Sequence, residues 1–168
     1  MMRYISLIVL PFIVQACFSV SYSFRGGMIP GETFSIESFT NQASIVNPNL
    51  AIVFQDALQE RFTNESNLKY TDREQEQNHV TFAGTINRYE ISPVQGTGDV
   101  TVALNRLTIS VKVIYINTKD PSLDFEKEFS SYDDFESSED FASVEDDLMK
   151  IISEKLVALV YNETIVDW

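Results

Sequence analysis

Leu107-Thr108-Ile109-Ser110-Val111-Lys112-Val113-Ile114-Tyr115 is the stretch on which the reading of the fold turns. Leu107, Ile109, Val111, Val113 and Tyr115 alternate with more polar neighbours, the period of a strand with one buried face. It is the longest strand signal in the chain and reads as a central strand. Upstream, Val100, Val102 and Leu104 alternate in the opposite phase, with Asn105-Arg106 between the two runs. Downstream, Asn117-Thr118-Lys119-Asp120-Pro121 is a turn, and Leu123, Phe125 and Phe129 alternate on a returning strand.

Working outward toward the N-terminus, Val80, Phe82 and Ile86 share one face, with Gly84 among them. The pattern then slips by one residue so that Tyr89 and Ile91 continue it, which predicts a β-bulge. Ser92 to Gly98 reads as a flexible connection. Residues 80–132 therefore read as an antiparallel meander. Asn67 to Thr71 is a short strand candidate, and the wholly polar Asp72 to Asn78 reads as an exposed hairpin loop. Thr33 to Phe39 alternates as a further strand, placed near the centre of the sheet.

Two helices complete the pattern. Asn47-Pro48 opens the first, since Asn satisfies free N–H groups and Pro at the first helical position loses nothing. Leu50, Phe54, Ala57, Leu58 and Phe62 form its apolar stripe, and it ends near Asn64. After an acidic loop, Asp133 to Asp140, Ser143 and Asp146 resemble a capping box. Val144, Leu148, Ile151, Ile152, Leu156, Leu159 and Val160 then make one stripe running toward Ile165. The expected fold class is α+β: a two-layer sandwich with a mostly antiparallel four- to five-stranded sheet and two helices packed on one face.

The N-terminus sets the compartment. Arg3, the apolar run Ile5 to Val14 and small Ala16 follow the grammar of a secretory signal. The run is shorter than the roughly 20 residues that a spanning helix needs. Val14-Gln15-Ala16-Cys17 resembles a bacterial lipobox, and Cys17 is the only cysteine. The expected organisation is a lipoprotein signal peptide at 1–16, a lipidated tether at 17–31 and one domain at 32–168. Cys17 would carry the lipid. No acidic residue follows it (Phe18-Ser19-Val20-Ser21), which by known sorting rules points to the outer membrane, facing the periplasm.

The chain carries 12 basic and 25 acidic side chains, a formal net charge of −13. Removing the signal takes away Arg3 and no acid. Such a protein is a poor partner for nucleic acid. Its 12 Phe and 7 Tyr mark a folded chain with a real core.

Catalytic signatures are not found. His79 is the only histidine, with no cysteine or second histidine nearby for zinc or nucleophilic chemistry. Gly26-Gly27 and Gly96-Thr97-Gly98 lack the Lys and the helix of a phosphate loop. Asp120 to Asp147 is densely acidic, with Lys127 its one base. Its spacing does not match an EF-hand, and a solvated loop and helix start outweighs a calcium site. Arg88 and Arg106 each sit at a strand phase break. They could meet a phosphate, or simply pair with acids on the sheet. No cofactor is implied.

The chain as a whole resembles the LptE family of lipopolysaccharide-assembly lipoproteins, in its Bacteroidetes form. The matching stretches are Tyr22-Ser23-Phe24, Thr33 to Glu37, Ala43-Ser44-Ile45-Val46-Asn47-Pro48, Asn105 to Val113, and Ser143-Val144-Glu145-Asp146-Asp147-Leu148. The resemblance implies a non-enzymatic protein, lipid-anchored at the periplasmic face of the outer membrane. It implies partnership with a large β-barrel translocon of the LptD type, which such proteins plug and help to assemble, and contact with passing lipopolysaccharide. Arg88 and Arg106 are the residues expected at that contact. Two other readings stay open: an auxiliary lipoprotein of another envelope transport complex, and a lipid-anchored enzyme or ligand binder, which would need a concave pocket with converging polar groups.

Overall fold

The computed structural model describes residues 28–45, 47–71, 78–94 and 103–165. In chain order the elements are β1 (Thr33–Ile36), β2 (Thr40–Asn41), α1 (Leu50–Glu65), β3 (Lys69–Tyr70), β4 (Val80–Val94), β5 (Leu104–Asn117), β6 (Phe125–Glu136) and α2 (Phe141–Thr164). A 3₁₀ turn, Pro121–Leu123, lies between β5 and β6.

The α+β class holds, with both helices on one face of the sheet. The sheet is larger and more mixed than the expected four or five antiparallel strands. Among the described residues it has six strands, in the order β3-β1-β4-β5-β6, with β2 continuing beside β4. β4, β5 and β6 form the predicted antiparallel meander. β1 and β2 instead run parallel to β4, and β3 runs parallel to β1. The physical reason is the helix between them. A chain that leaves β2, returns along α1 and re-enters as β3 must place β3 parallel to β1. The expected hairpin at Asp72 to Asn78 does not join paired strands, because β1 lies between β3 and β4; residues 72–77 themselves lie outside the described residues. So do 95–102, which hold Val100 and Val102, and the signal segment with Cys17.

β5 behaves as its sequence demands. Leu107, Ile109, Val111, Val113 and Tyr115 are all buried. The slip in β4 is a bulge between Ile86 and Arg88, which returns Tyr89 to the buried face. β1 and β2 form one interrupted strand, and the interruption explains Gly84. Phe39 turns inward between β1 and β2, and a Cβ at Gly84 would lie 2.7 Å from the Phe39 ring and 2.1 Å from the Lys112 carbonyl oxygen.

The core is aromatic. Phe62 stands 4.6 Å from Phe82 and 5.9 Å from Phe34, and Phe82 stands 5.2 Å from Tyr115, centroid to centroid. Such pairs contribute about 0.5–1.5 kcal/mol each beyond the area they bury. The two helices run side by side in the same direction. Asn47, just before α1, bonds Glu145 in the first turn of α2, and the Tyr161 hydroxyl donates to the Glu65 carbonyl where both helices end.

Local starts differ from the sequence reading by a few residues. α1 begins at Leu50, two residues after Pro48, with the Asn47 side chain accepting the Asn49 N–H at 2.8 Å. α2 begins at Phe141, capped by Asp140, whose carboxylate accepts the Ala142 N–H; the Ser143 hydroxyl donates back to the Asp140 carbonyl at 2.7 Å. Asp133 to Glu136, read as loop, is the end of β6. Acids are poor strand formers, but here Arg106 and Lys155 pair with Asp134 and Asp133, and Phe135, next in sequence, is buried. Among the described residues, no helix is long and apolar enough to cross a membrane.

Candidate functional site: the helix-free face of the sheet

Strand alternation sends every second residue of β4, β5 and β6 away from the helices. Cross-strand register sets them in rows: Arg88 opposite Ser110, Glu90 opposite Thr108 and Ser92 opposite Arg106. On the other side, Arg106 faces Asp134, Thr108 faces Tyr132 and Ser110 faces Ser130. Among the described residues no helix covers this face. Arg88 and Arg106 therefore lie on one surface, on neighbouring strands, with the Glu90–Thr108 rung between them.

Each arginine already holds a carboxylate. Arg88 Nη2 lies 2.6 Å from Glu90, with both side chains about half exposed (54% and 52%). Arg106 grips Asp134 with two hydrogen bonds, 2.7 and 2.9 Å, and its guanidinium lies 3.6 Å from the centre of the Tyr132 ring. The bidentate fork and the stacked ring fix the guanidinium plane. The hydrogen bond from Arg106 holds the Asp134 carboxyl below its ordinary pKa, and the same bond raises that of Arg106. Lys112 pairs with Glu126 farther along the face. The row is thus a set of matched ion pairs around the Ser110–Ser130 hydrogen bond of 3.0 Å, with Tyr132 standing half exposed beside them.

A second constellation was not singled out from the sequence. The Tyr89 hydroxyl donates to Glu145 Oε1 at 2.5 Å, and Asn47 Nδ2 donates to the same oxygen at 2.7 Å. β4, the approach to α1 and the first turn of α2 are tied at one carboxylate. Burial, and then Glu145, push the Tyr89 phenol well above its ordinary value, so it is a fixed donor. The available signal was indirect: Asn47 and Glu145 both lie in stretches that carry the family resemblance.

The acidic segment is mostly structural. Asp120 accepts from Ser122, Asp124 accepts the Asn117 N–H at 2.6 Å, Asp133 pairs with Lys155, Asp134 with Arg106, and Asp140 caps α2. Among the described residues there is no group of three or more His, Cys, Asp or Glu able to hold a metal ion. An open groove of about 420 Å³ runs between α1 and α2, lined by Val53, Ala57 and Val157 with Asp56, Glu60, Arg61, Lys150 and Glu154. Its charges are of both signs with acids in the majority, and Arg61 is held by Glu65 at 2.9 Å. The groove does not converge on one ligand chemistry. His79 is engaged by the backbone, with Nδ1 accepting the Glu32 N–H at 2.9 Å.

With this geometry in place, comparison with known proteins decides the family. A family model described as LptE, lipopolysaccharide-assembly, matches residues 31–164. The chain belongs to the LptE family. That span takes in the eight strands and helices of the described residues. The LptE match covers both arginines and the Asn47–Tyr89–Glu145 node. No curated protein matches the sequence significantly. Among solved structures, the hypothetical protein CT253 from Chlamydia trachomatis is 11% identical with a TM-score of 0.53, covering 79% of this chain and 96% of that one. Protein XCC0632 from Xanthomonas campestris is 11% identical with a TM-score of 0.51, covering 82% and 87%. At such identities these two share the fold alone. The LptE family is one of lipopolysaccharide assembly, which is not an enzymatic role.

Proposed function

We propose that this chain is the lipid-anchored, periplasmic-side component of an outer-membrane lipopolysaccharide translocon. It plugs an LptD-type β-barrel and assists its assembly. The observation that carries the reading is the family match across the whole folded domain, residues 31–164. The signal segment 1–16 is removed, and Cys17 takes the acyl chains that hold the domain at the outer membrane. One acyl chain binds weakly, at about 0.8 kcal/mol per buried CH₂, so firm anchoring requires more than one.

The surface offered to the barrel is the helix-free face of the sheet. It is flat and rich in Ser and Thr, and it carries paired charges that a polar barrel lumen can meet without stranding an ion. Arg88 and Arg106 are the lipopolysaccharide contacts in this reading. A phosphate would have to displace Glu90 or Asp134, which disfavours tight binding and suits transient contact with a passing lipid.

The test is a mild-detergent pull-down of the lipidated protein from its own envelope, read by mass spectrometry. A stoichiometric outer-membrane β-barrel of the lipopolysaccharide-export type is expected. Recovery of the protein alone, or with subunits of a different transport complex, would overturn the translocon reading.

A further inference from the structure

The chain enters the fold through a clamp. Asn67 Oδ1 accepts the Ile29 N–H, and its Nδ2 donates to the Ile29 and Gly31 carbonyls, all at 3.0 Å. Asn117 Nδ2 donates to the Pro30 carbonyl at 2.9 Å, and His79 Nδ1 takes the Glu32 N–H at 2.9 Å. Ile29 is fully buried. Gly31, at φ +130°, makes the turn, and a Cβ there would lie 2.8 Å from that of His79. Two connections and the end of β5 thus seize four consecutive residues, and the described chain enters the fold at one fixed point.

That point lies at the end of the sheet where β1 and β4 begin and β5 finishes, since Phe34 pairs with Val80 and Thr81 with Ile116. Three large apolar side chains are exposed around it: Met28 at 70%, Ile116 at 45% and Tyr70 at 39%. The charge is concentrated at the other end. From Ser130 to Met149 there are eight acidic residues and no basic one. They occupy the far half of β6, the loop after it and the start of α2. Asp133 and Asp134 are paired with Lys155 and Arg106, and the tether end carries Asp120, Asp124 and Glu126 in and after the β5–β6 turn, so the asymmetry is one of degree. β6 is 12 residues long, which separates the two ends by roughly 36 Å, several times the Debye length of about 8 Å at physiological salt. The eleven residues from Cys17 to Met28 can reach at most about 40 Å, little more than the domain itself.

We propose that the tether end is a lipid-contact platform. Met28, Tyr70 and Ile116 rest in the headgroup region of the phospholipid leaflet that holds the acylated Cys17, and the acidic end of the domain points away from that leaflet. The orientation seats exposed apolar surface against lipid and keeps the densest negative charge farthest from anionic headgroups. It rests on the lipid-anchor reading above. It leaves the helix-free face beyond Ile116, with Arg88 and Arg106, free for the barrel. Exposed Ile45 marks the far end.

The test uses the full lipidated chain in phosphatidylethanolamine–phosphatidylglycerol vesicles containing brominated phospholipid. Acylation occupies the only native thiol, so Ile116→Cys, Tyr70→Cys and Ile45→Cys each offer one site for a fluorophore. Circular dichroism matched to wild type confirms that each variant is folded. Flotation with the vesicles reports the anchor, and quenching reports the orientation. The expected result is flotation of all three, loss of most fluorescence at positions 116 and 70, and none at 45. A chain that floats but is quenched equally at all three positions, or most at 45, overturns the platform while leaving the anchor standing. A chain that does not float overturns the anchor, and the platform with it.

Discussion

The two faces of β5 are built from one run of alternating residues, yet they are held by different physics. On the helix side, Leu107, Ile109, Val111, Val113 and Tyr115 are sealed under α1 and α2 among interlocking rings. On the other side, Arg106, Thr108, Ser110 and Lys112 meet their cross-strand partners through ion pairs and hydroxyls in contact with water. Burial is non-directional and large. Surface pairs are directional, screened and small. Stability therefore resides on one face, while the other can be given over to recognition at little cost to the fold.

That contrast can be broken first in the core. Phe82→Ala removes a ring touching Phe34, Phe62 and Tyr115 and should cost about 3–5 kcal/mol, read as a lowered denaturant midpoint. A loss below 1 kcal/mol would mean that the rings do not carry the fold. Next, Gly84→Ala tests the close approach of Phe39 and β5. The new methyl meets backbone at 2.1 Å, and the shift it forces should cost about 1–3 kcal/mol; thermal unfolding unchanged from wild type would contradict the packing described.

Tyr89→Phe probes the boundary between the two regimes. It removes one donor from Glu145 and leaves Asn47 as the other, for an expected loss of about 1–3 kcal/mol. Asn47→Ala should then add less than its own single effect, because both donors serve one oxygen; full additivity in the double-mutant cycle would sink the node. The smallest effect belongs to the open face. Arg106 depresses the Asp134 pKa below its ordinary 3.8, so the pair stabilises the protein above that value and is lost as pH falls through the depressed one. Asp134→Asn should flatten the acid side of the stability profile slightly and weaken its salt dependence, leaving the neutral-pH midpoint nearly unmoved. A large drop at neutral pH would show that this face, too, carries the fold.

What could be read from the sequence follows the same division. Alternation in β5 and the slip at Ile86–Arg88 were legible because burial imposes a period on the chain. The parallel placement of β1 and β3 was not. Parallel pairing leaves no turn signature, and Lys69–Tyr70 is too short to show a period. Asp133–Glu136 read as loop because the cations that license acids in a strand sit far away in sequence, at Arg106 and Lys155. On α2, the stripe placed Ile151 and Leu159 inward, whereas they are 40% and 44% exposed and Ser153 and Thr164 are buried instead. An apolar-only stripe cannot see small polar residues that fit the helix–sheet gap. For the candidate site, Arg88 and Arg106 were placed at phase breaks, but that they share one face depends on the bulge and on the β4–β5 register together. Glu90, two residues from Arg88 on the same strand face, lay within reach of spacing, whereas Asp134, 28 residues from Arg106, did not.

β1 and β2 come early in the chain, yet their partner β4 follows far behind: Phe34 waits for Val80, and Thr40 for Thr85. Contacts so distant along the chain are slow to close, whereas β4, β5 and β6 can zip as neighbours. The order of assembly this favours is meander first, N-terminal strand last. Until β4 arrives, the segment next to the tether has an unpaired edge and an unburied Phe34 to shield. A protein so wired has its least protected moment between synthesis and docking of its first strand, the interval in which an envelope chaperone would meet it.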